Sequence, residues 1–208
     1  QSLKSLSESN FCNHDDWTNR YINEIKTIGT IDVAEYKDSL QKVNKADFIR
    51  WLIQAKNVKM TNSKRELDFI DSNDPNYLYI LTALEKGYLH YSEVFNPTEK
   101  ITRAEASIFL VRFLSQEAQN LAKEYKYPVI PAQDGYYNVP DQAIGSLSLC
   151  YNPNYQLLGY RQKEYDNYRY IEPNEDLLFG EAMYSLFSLF GSQHLRHRSD
   201  GSRSEDKG

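Results

Sequence analysis

Arg103 is the side chain of this sequence with the most chemistry to offer. It stands in the run Ile101-Thr102-Arg103-Ala104-Glu105-Ala106, shortly after the turn Phe95-Asn96-Pro97. Thr102 and Glu105 have the spacing of a capping box, in which the threonine hydroxyl accepts from the Glu105 N–H and the carboxylate reaches back to the Thr102 N–H. Ile108, Phe109, Val111 and Leu114 follow at helical spacing, so the box opens a helix. Neither the cap nor that apolar stripe needs Arg103. A planar guanidinium at a helix start can offer two parallel donors to a carboxylate, and the first-turn amides add positive potential. Its other reading is a pair with a surface carboxylate.

Catalytic constellations are much weaker. The histidines are His14, His90, His194 and His197, and no local motif assembles them with a Ser or Cys nucleophile. His14-Asp15-Asp16 has metal-ligand residue types, but adjacent side chains on a helix diverge. No spacing among the 29 acidic residues favours a paired-carboxylate glycosidase. The expectation is a protein with no catalytic residues, no metal and no cofactor.

The elements that would position Arg103 are helical. Apolar spacing and stop signals predict helices over 16–28, 44–56, 76–87, 102–126, 141–151 and 176–190, with Pro128 and Pro131 ending the fourth. Residues 56–64 read as a polar connection. Residues 152–167, rich in Tyr and Asn, read as a surface loop. The tail from Gly191 has no apolar period and is expected to be disordered or an expression-derived appendage.

These pieces recur in a fixed order. Phe69-Ile70-Asp71 precedes Asn76-Tyr77, then Ile80, Ala83, Leu84 and Gly87 mark a helix and its stop, and Phe95 and Thr102-Arg103-Ala104-Glu105 lead into a second helix. This unit resembles a surface-layer homology (SLH) repeat of bacterial envelope proteins, closely so from about Phe69 to Leu114. With a period of about 50 to 70 residues sought along the chain, two weaker copies emerge. One runs from Phe11-Cys12-Asn13 and Asp16-Trp17 through Gly29 to Val43-Asn44-Lys45-Ala46-Asp47-Phe48. The other runs from Tyr136-Tyr137-Asn138-Val139-Pro140 to Leu177-Leu178-Phe179-Gly180-Glu181-Ala182. The implied organisation is a degenerate repeat over 1–60, the best match over 61–127, a degenerate repeat with a loop insertion over 128–190, and the tail 191–208.

The resemblance implies an all-α fold of three helix-loop-helix units about a pseudo-threefold axis, with Val43, Ile101 and Leu177 equivalent. It implies non-catalytic anchoring to a secondary cell-wall polysaccharide, anionic or pyruvylated, held in grooves between repeats. Arg103 would then pair with the anion, Trp17 and Tyr77 would stack on sugar rings, and Asp71 would accept from hydroxyls. Gly87 would admit a ring to the backbone, although a helix C-cap needs the same residue. Trp17 also suits a core plug, and Asp71 a helix cap. Lys45 keeps the charge without the fork, Phe179 keeps neither, and Asn138 replaces the expected acid, so Arg103→Ala is the substitution expected to weaken binding most. In a closed ring Cys12 and Cys150 could bridge; two unrelated buried thiols is the other reading.

Bulk properties bound the alternatives. The 208 residues are 40% hydrophobic, enough for a buried core, and a net charge of −5 argues against nucleic acid. No apolar run reaches membrane-spanning length, so no membrane insertion is expected. A start at Gln1 without methionine fits a processed secreted form or an excised fragment. The resemblance implies a secreted protein at the bacterial cell surface or cell wall. Seventeen tyrosines suit half-exposed sugar contacts, although packing at core edges explains most of them. Other surface-layer proteins are further candidate partners. The rival readings are a degenerate scaffold that docks another protein and a peptidoglycan-binding anchor in a two-membrane bacterium.

Overall fold

The structure, a computed structural model, describes the backbone of residues 14–191 and the side chains of 17–190. Seven α-helices carry the described chain: α1 His14–Ile28, α2 Lys45–Lys56, α3 Tyr77–Glu85, α4 Arg103–Arg112, α5 Gln116–Glu124, α6 Ile144–Cys150 and α7 Phe179–Leu186. A 3-10 turn, Asp141–Ala143, leads into α6, and a π turn, Phe187–Gly191, extends α7. Two short strands, β1 Arg161–Gln162 and β2 Arg169–Tyr170, pair antiparallel with Arg161 opposite Tyr170. The fold is therefore mostly helical.

Local sequence accounts for several helix ends. In α1, Thr18, Ile22 and Ile25 form one buried stripe, and Gly29 stops the helix at φ +73°. Asn44 caps α2 by accepting from the Asp47 N–H at 2.8 Å, and Thr102 with Glu105 forms the full capping box on α4. The helix expected over 102–126 is two helices. Ser115 accepts from the Ala118 N–H at 3.2 Å and starts α5 as a separate element, so a serine inside the periodic run acts as a new N-cap.

The starts of α2, α4 and α7 meet at the centre of the molecule. Val43 N–H donates to the Leu177 carbonyl (3.1 Å), Leu177 N–H to Ile101 (2.8 Å), and Ile101 N–H to Val43 (2.9 Å), closing a cycle. The first amide of each helix then donates across a boundary: Lys45 to Glu99 O, Arg103 to Glu175 O and Phe179 to Gln41 O. The second amides follow, from Ala46 to Pro97 O, Ala104 to Pro173 O and Gly180 to Ser39 O. Helix-start N–H groups have no intrahelical acceptor, and here another segment's backbone supplies it. Val43, Ile101 and Leu177 are fully buried. Around this centre α2 packs on α3, α4 on α6, and α7 on α1.

The stretch expected to be a surface loop, 152–167, is a correction. Leu157, Leu158 and Arg161 are buried, and β1 begins inside it. Residues 192–208 of the tail lie outside the described residues. No described helix is long and apolar enough to cross a membrane.

Candidate functional site

Arg103 is not presented to a groove: it is fully buried, and each of its three nitrogens is engaged. Nε donates to the Ile171 carbonyl (2.7 Å), one terminal nitrogen to Glu181 Oε2 (2.6 Å), and the other to the Tyr151 hydroxyl (2.8 Å) and the Gly159 carbonyl (2.6 Å). Glu181, itself buried, also receives Arg161 through Nε (2.9 Å) and a terminal nitrogen (2.7 Å), and caps the Leu178 N–H (3.0 Å). Arg161 extends to Glu172 at 3.4 Å. Two arginines and two glutamates thus balance in the interior, which a buried charge requires. Burial alone would lower the Arg161 pKa, and the adjacent Glu181 outweighs it to raise the value. The residue that the cap leaves over is used by the core.

Lys45 holds the corresponding place at the start of α2. It is largely buried and pairs with Glu105 (2.7 Å) and Glu99 (3.0 Å). Burial opposes its charge, but the hydrogen bonds to Glu105 and Glu99 leave its pKa above the ordinary lysine value. Glu105 is the mirror case: burial opposes its ionisation, and the Lys45 and Thr102 hydrogen bonds hold its pKa below the ordinary value. At the start of α7, Phe179 replaces the cation with a ring. It stacks on Tyr36 (5.0 Å, 22°), whose hydroxyl donates to Asp47 at 2.6 Å. In all three places the first residue of one helix is linked to the acid three places into the next one of the cycle.

The other sequence candidates are scattered. Trp17 is half-buried, edge-on to Tyr21 and Tyr184, and its ring presses on Gly159, where a Cβ would lie 2.7 Å from it. It therefore backs the same glycine whose carbonyl holds Arg103. The Tyr77 hydroxyl donates to Arg65 O and accepts from the Leu67 N–H, both at 3.1 Å, tying down the connection before α3. Asp71 is exposed and accepts from the Asn73 N–H at 2.8 Å, which makes a local turn. Cys150 is a buried free thiol whose pKa burial pushes up; Cys12 lies outside the described residues. Among the described residues no cluster of His, Cys, Asp and Glu could hold a metal ion.

Of the candidates, Gly87 borders a large concavity. With φ +81° it ends α3, where a side chain would be strained, and the space beside it is open. It lines a groove of about 790 Å³ between the end of α3, the outer face of α4, α5 and the start of α6. Cations gather there: Lys86, Arg112, Lys123 and Lys126, against the single acid Asp141. Arg112 is held by Glu93 (2.7 Å) and the Tyr88 carbonyl (3.1 Å). Lys86, Lys123 and Lys126 are exposed and have no carboxylate partner among the described residues. Tyr88, Tyr125 and Ile108 supply apolar surface, and Gln142 adds an amide. A positive, partly aromatic groove on a chain of net charge −5 concentrates anions locally. Such a groove offers distributed cations and aromatic surface to an extended anion, and His90 and Ser146 also line it.

Two sets of residues were missed from sequence. Lys123 and Lys126 read as the polar end of a long helix, and only the separate α5 turns them toward α6. Glu181, Arg161, Tyr151 and Glu172 are separated by loops, although the acid at 181, in step with Asp47 and Glu105, was a usable signal. No protein-family model matches the chain, and no match is found among curated proteins.

Proposed function

We propose that this chain is a non-catalytic, SLH-like anchoring module of the cell envelope that holds an anionic polysaccharide in the groove between α4, α5 and α6. The observation that carries this reading is the set of three exposed lysines, without a carboxylate partner among the described residues, around a groove with tyrosine walls, opening beside Gly87. Polysaccharide chains are extended, and an anionic one needs distributed cations with flat apolar surface. The cyclic hydrogen bonds among Val43, Ile101 and Leu177 support reading the chain as three related units over 1–60, 61–127 and 128–190. Equivalent helix starts exchanging equivalent bonds are what a pseudo-threefold arrangement requires. The groove then lies between the second and third units. Arg103, Lys45, Trp17 and Tyr77 serve the frame of the module.

The experiment is sedimentation with purified cell-wall sacculi before and after acid removal of the secondary polymer. Wild-type protein should pellet with intact walls and stay in solution with stripped ones. The double variant Lys123→Glu/Lys126→Glu should lose most pelleting while keeping its thermal midpoint. Pelleting that survives stripping favours peptidoglycan.

A protein-docking reading has one observation in its favour. Tyr127, Val129, Tyr136 and Tyr137 are all more than half exposed along one connecting segment. Undiminished pelleting by the double lysine variant would turn attention to that segment.

A further inference from the structure

The stretch 151–160, together with Tyr184 of α7 and Arg169 of β2, encloses a second cavity of about 410 Å³ that the anchoring reading does not use. Its base is rigid. The buried Tyr151 hydroxyl donates to the Gly159 carbonyl at 3.1 Å and accepts from Arg103, so the base is fastened to the internal ion pair. The Tyr151 and Tyr160 rings lie 4.7 Å apart at 34°, and the Tyr184 hydroxyl donates to the Gln156 carbonyl at 2.9 Å. Pro131 and Pro153 complete the apolar lining.

One cation, Arg169, stands over the Tyr160 ring. The Arg169 guanidinium lies 5.1 Å from the Tyr160 ring centre. Its backbone is fixed twice, by pairing with Gln162 and by accepting from the Gln133 N–H at 2.7 Å. No carboxylate pairs with Arg169 among the described residues, and none of the residues lining the cavity is acidic. In contrast, the buried Arg103 and Arg161 are both answered by glutamates. A guanidinium held over the Tyr160 ring with no acid among the cavity's lining residues is matched by a ligand that brings its own carboxylate.

We infer that this cavity is a second ligand site, taking one pyranose ring that bears a carboxylate, a hexuronate. The ring lies against Tyr160 and Tyr184, its carboxylate takes the Arg169 fork, and the Tyr160 hydroxyl meets a sugar hydroxyl. The volume is near the lower end of the roughly 300–1,000 Å³ of small-molecule sites, suited to one ring rather than a chain. The inference stands on its own residues and does not depend on the envelope-anchoring reading.

Titration of the whole chain with methyl glucuronide, followed by calorimetry and ligand-observed NMR, tests it. Saturable binding is expected, with methyl glucoside at least about tenfold weaker because it lacks the charged partner. Arg169→Ala should lose a similar factor. Arg169 is exposed and contributes to the fold through its backbone, so an unchanged thermal midpoint is expected to accompany that loss. Tyr160→Leu should weaken both sugars alike. Lys123→Glu should leave methyl glucuronide binding unchanged while reducing wall pelleting, which separates this site from the groove. Absence of saturable binding by the wild type, or equal affinity in Arg169→Ala, would overturn the assignment.

Discussion

Lys45 and Arg103 begin α2 and α4 through the same device, a first amide bonded to a carbonyl of another segment, yet they live in different electrostatic surroundings. Lys45 reaches Glu99 and Glu105, whose side chains remain 57% and 33% exposed. Arg103 reaches Glu181, which is 2% exposed, and shares it with a second arginine. Water can screen and replace the first pair. For the second, any missing partner leaves a charge in the interior. The two helix starts are alike in sequence pattern, and the closing of 152–170 over one of them makes the energetic difference.

The comparison is most directly broken at Glu181. Glu181→Ala should destabilise the fold by about 3–5 kcal/mol, since two buried arginines lose their shared anion. Urea unfolding measures this, and a loss below about 1 kcal/mol, the scale of exposed pairs, would remove the distinction between the two boundaries. Arg103→Ala should come next, at about 3 kcal/mol, because Arg161 still neutralises Glu181 while carbonyls at Ile171 and Gly159 lose a donor. Arg103→Lys should recover only part, as an ammonium cannot reproduce the fork. Both variants should affect wall pelleting only in proportion to the unfolded fraction.

Thr102→Ala should cost about 1 kcal/mol through the lost cap on α4, read from the same denaturation curves. Lys45→Ala should cost about 1 kcal/mol or less, and sodium chloride titration should shrink the difference from wild type. An equally large effect of Lys45 and Arg103 would mean that burial does not separate them.

Acid sharpens the contrast further. Glu105 has its folded pKa below the ordinary value, so its contribution is present above about 4.3, the unfolded carboxylate value, and is lost as pH falls through the lower folded value. Lys45 has a raised pKa, so its part is present below about 10.4 and fades as pH rises through the folded value. Thermal midpoints of wild type and Lys45→Ala should therefore differ modestly at neutral pH and converge in acid below that carboxylate range.

Much of the local structure was readable because it is decided within a few residues. The Thr102–Glu105 box, the Asn44 cap and the glycines at 29 and 87 each act through their own backbone, so spacing alone reveals them. Ser115 shows the limit: its cap competes with an unbroken apolar period, and packing decided for two helices. The insertion shows another limit, because Tyr and Asn richness suggests solvent, while Leu157, Leu158 and Arg161 are covered by elements distant in sequence.

Sequence by itself determined the caps that start α2 and α4, the glycines at 29 and 87, and that Arg103 is surplus to the helix it starts. Only the tertiary structure decided what Arg103 does. The acid that neutralises it is 78 residues away, its second acceptor lies in a segment that reads as loop, and the cations of the groove come from separate helices. Hydrogen-bond caps are satisfied locally, whereas a buried charge is satisfied by whatever the fold brings within about 3 Å, a distance in space that no spacing along the chain encodes.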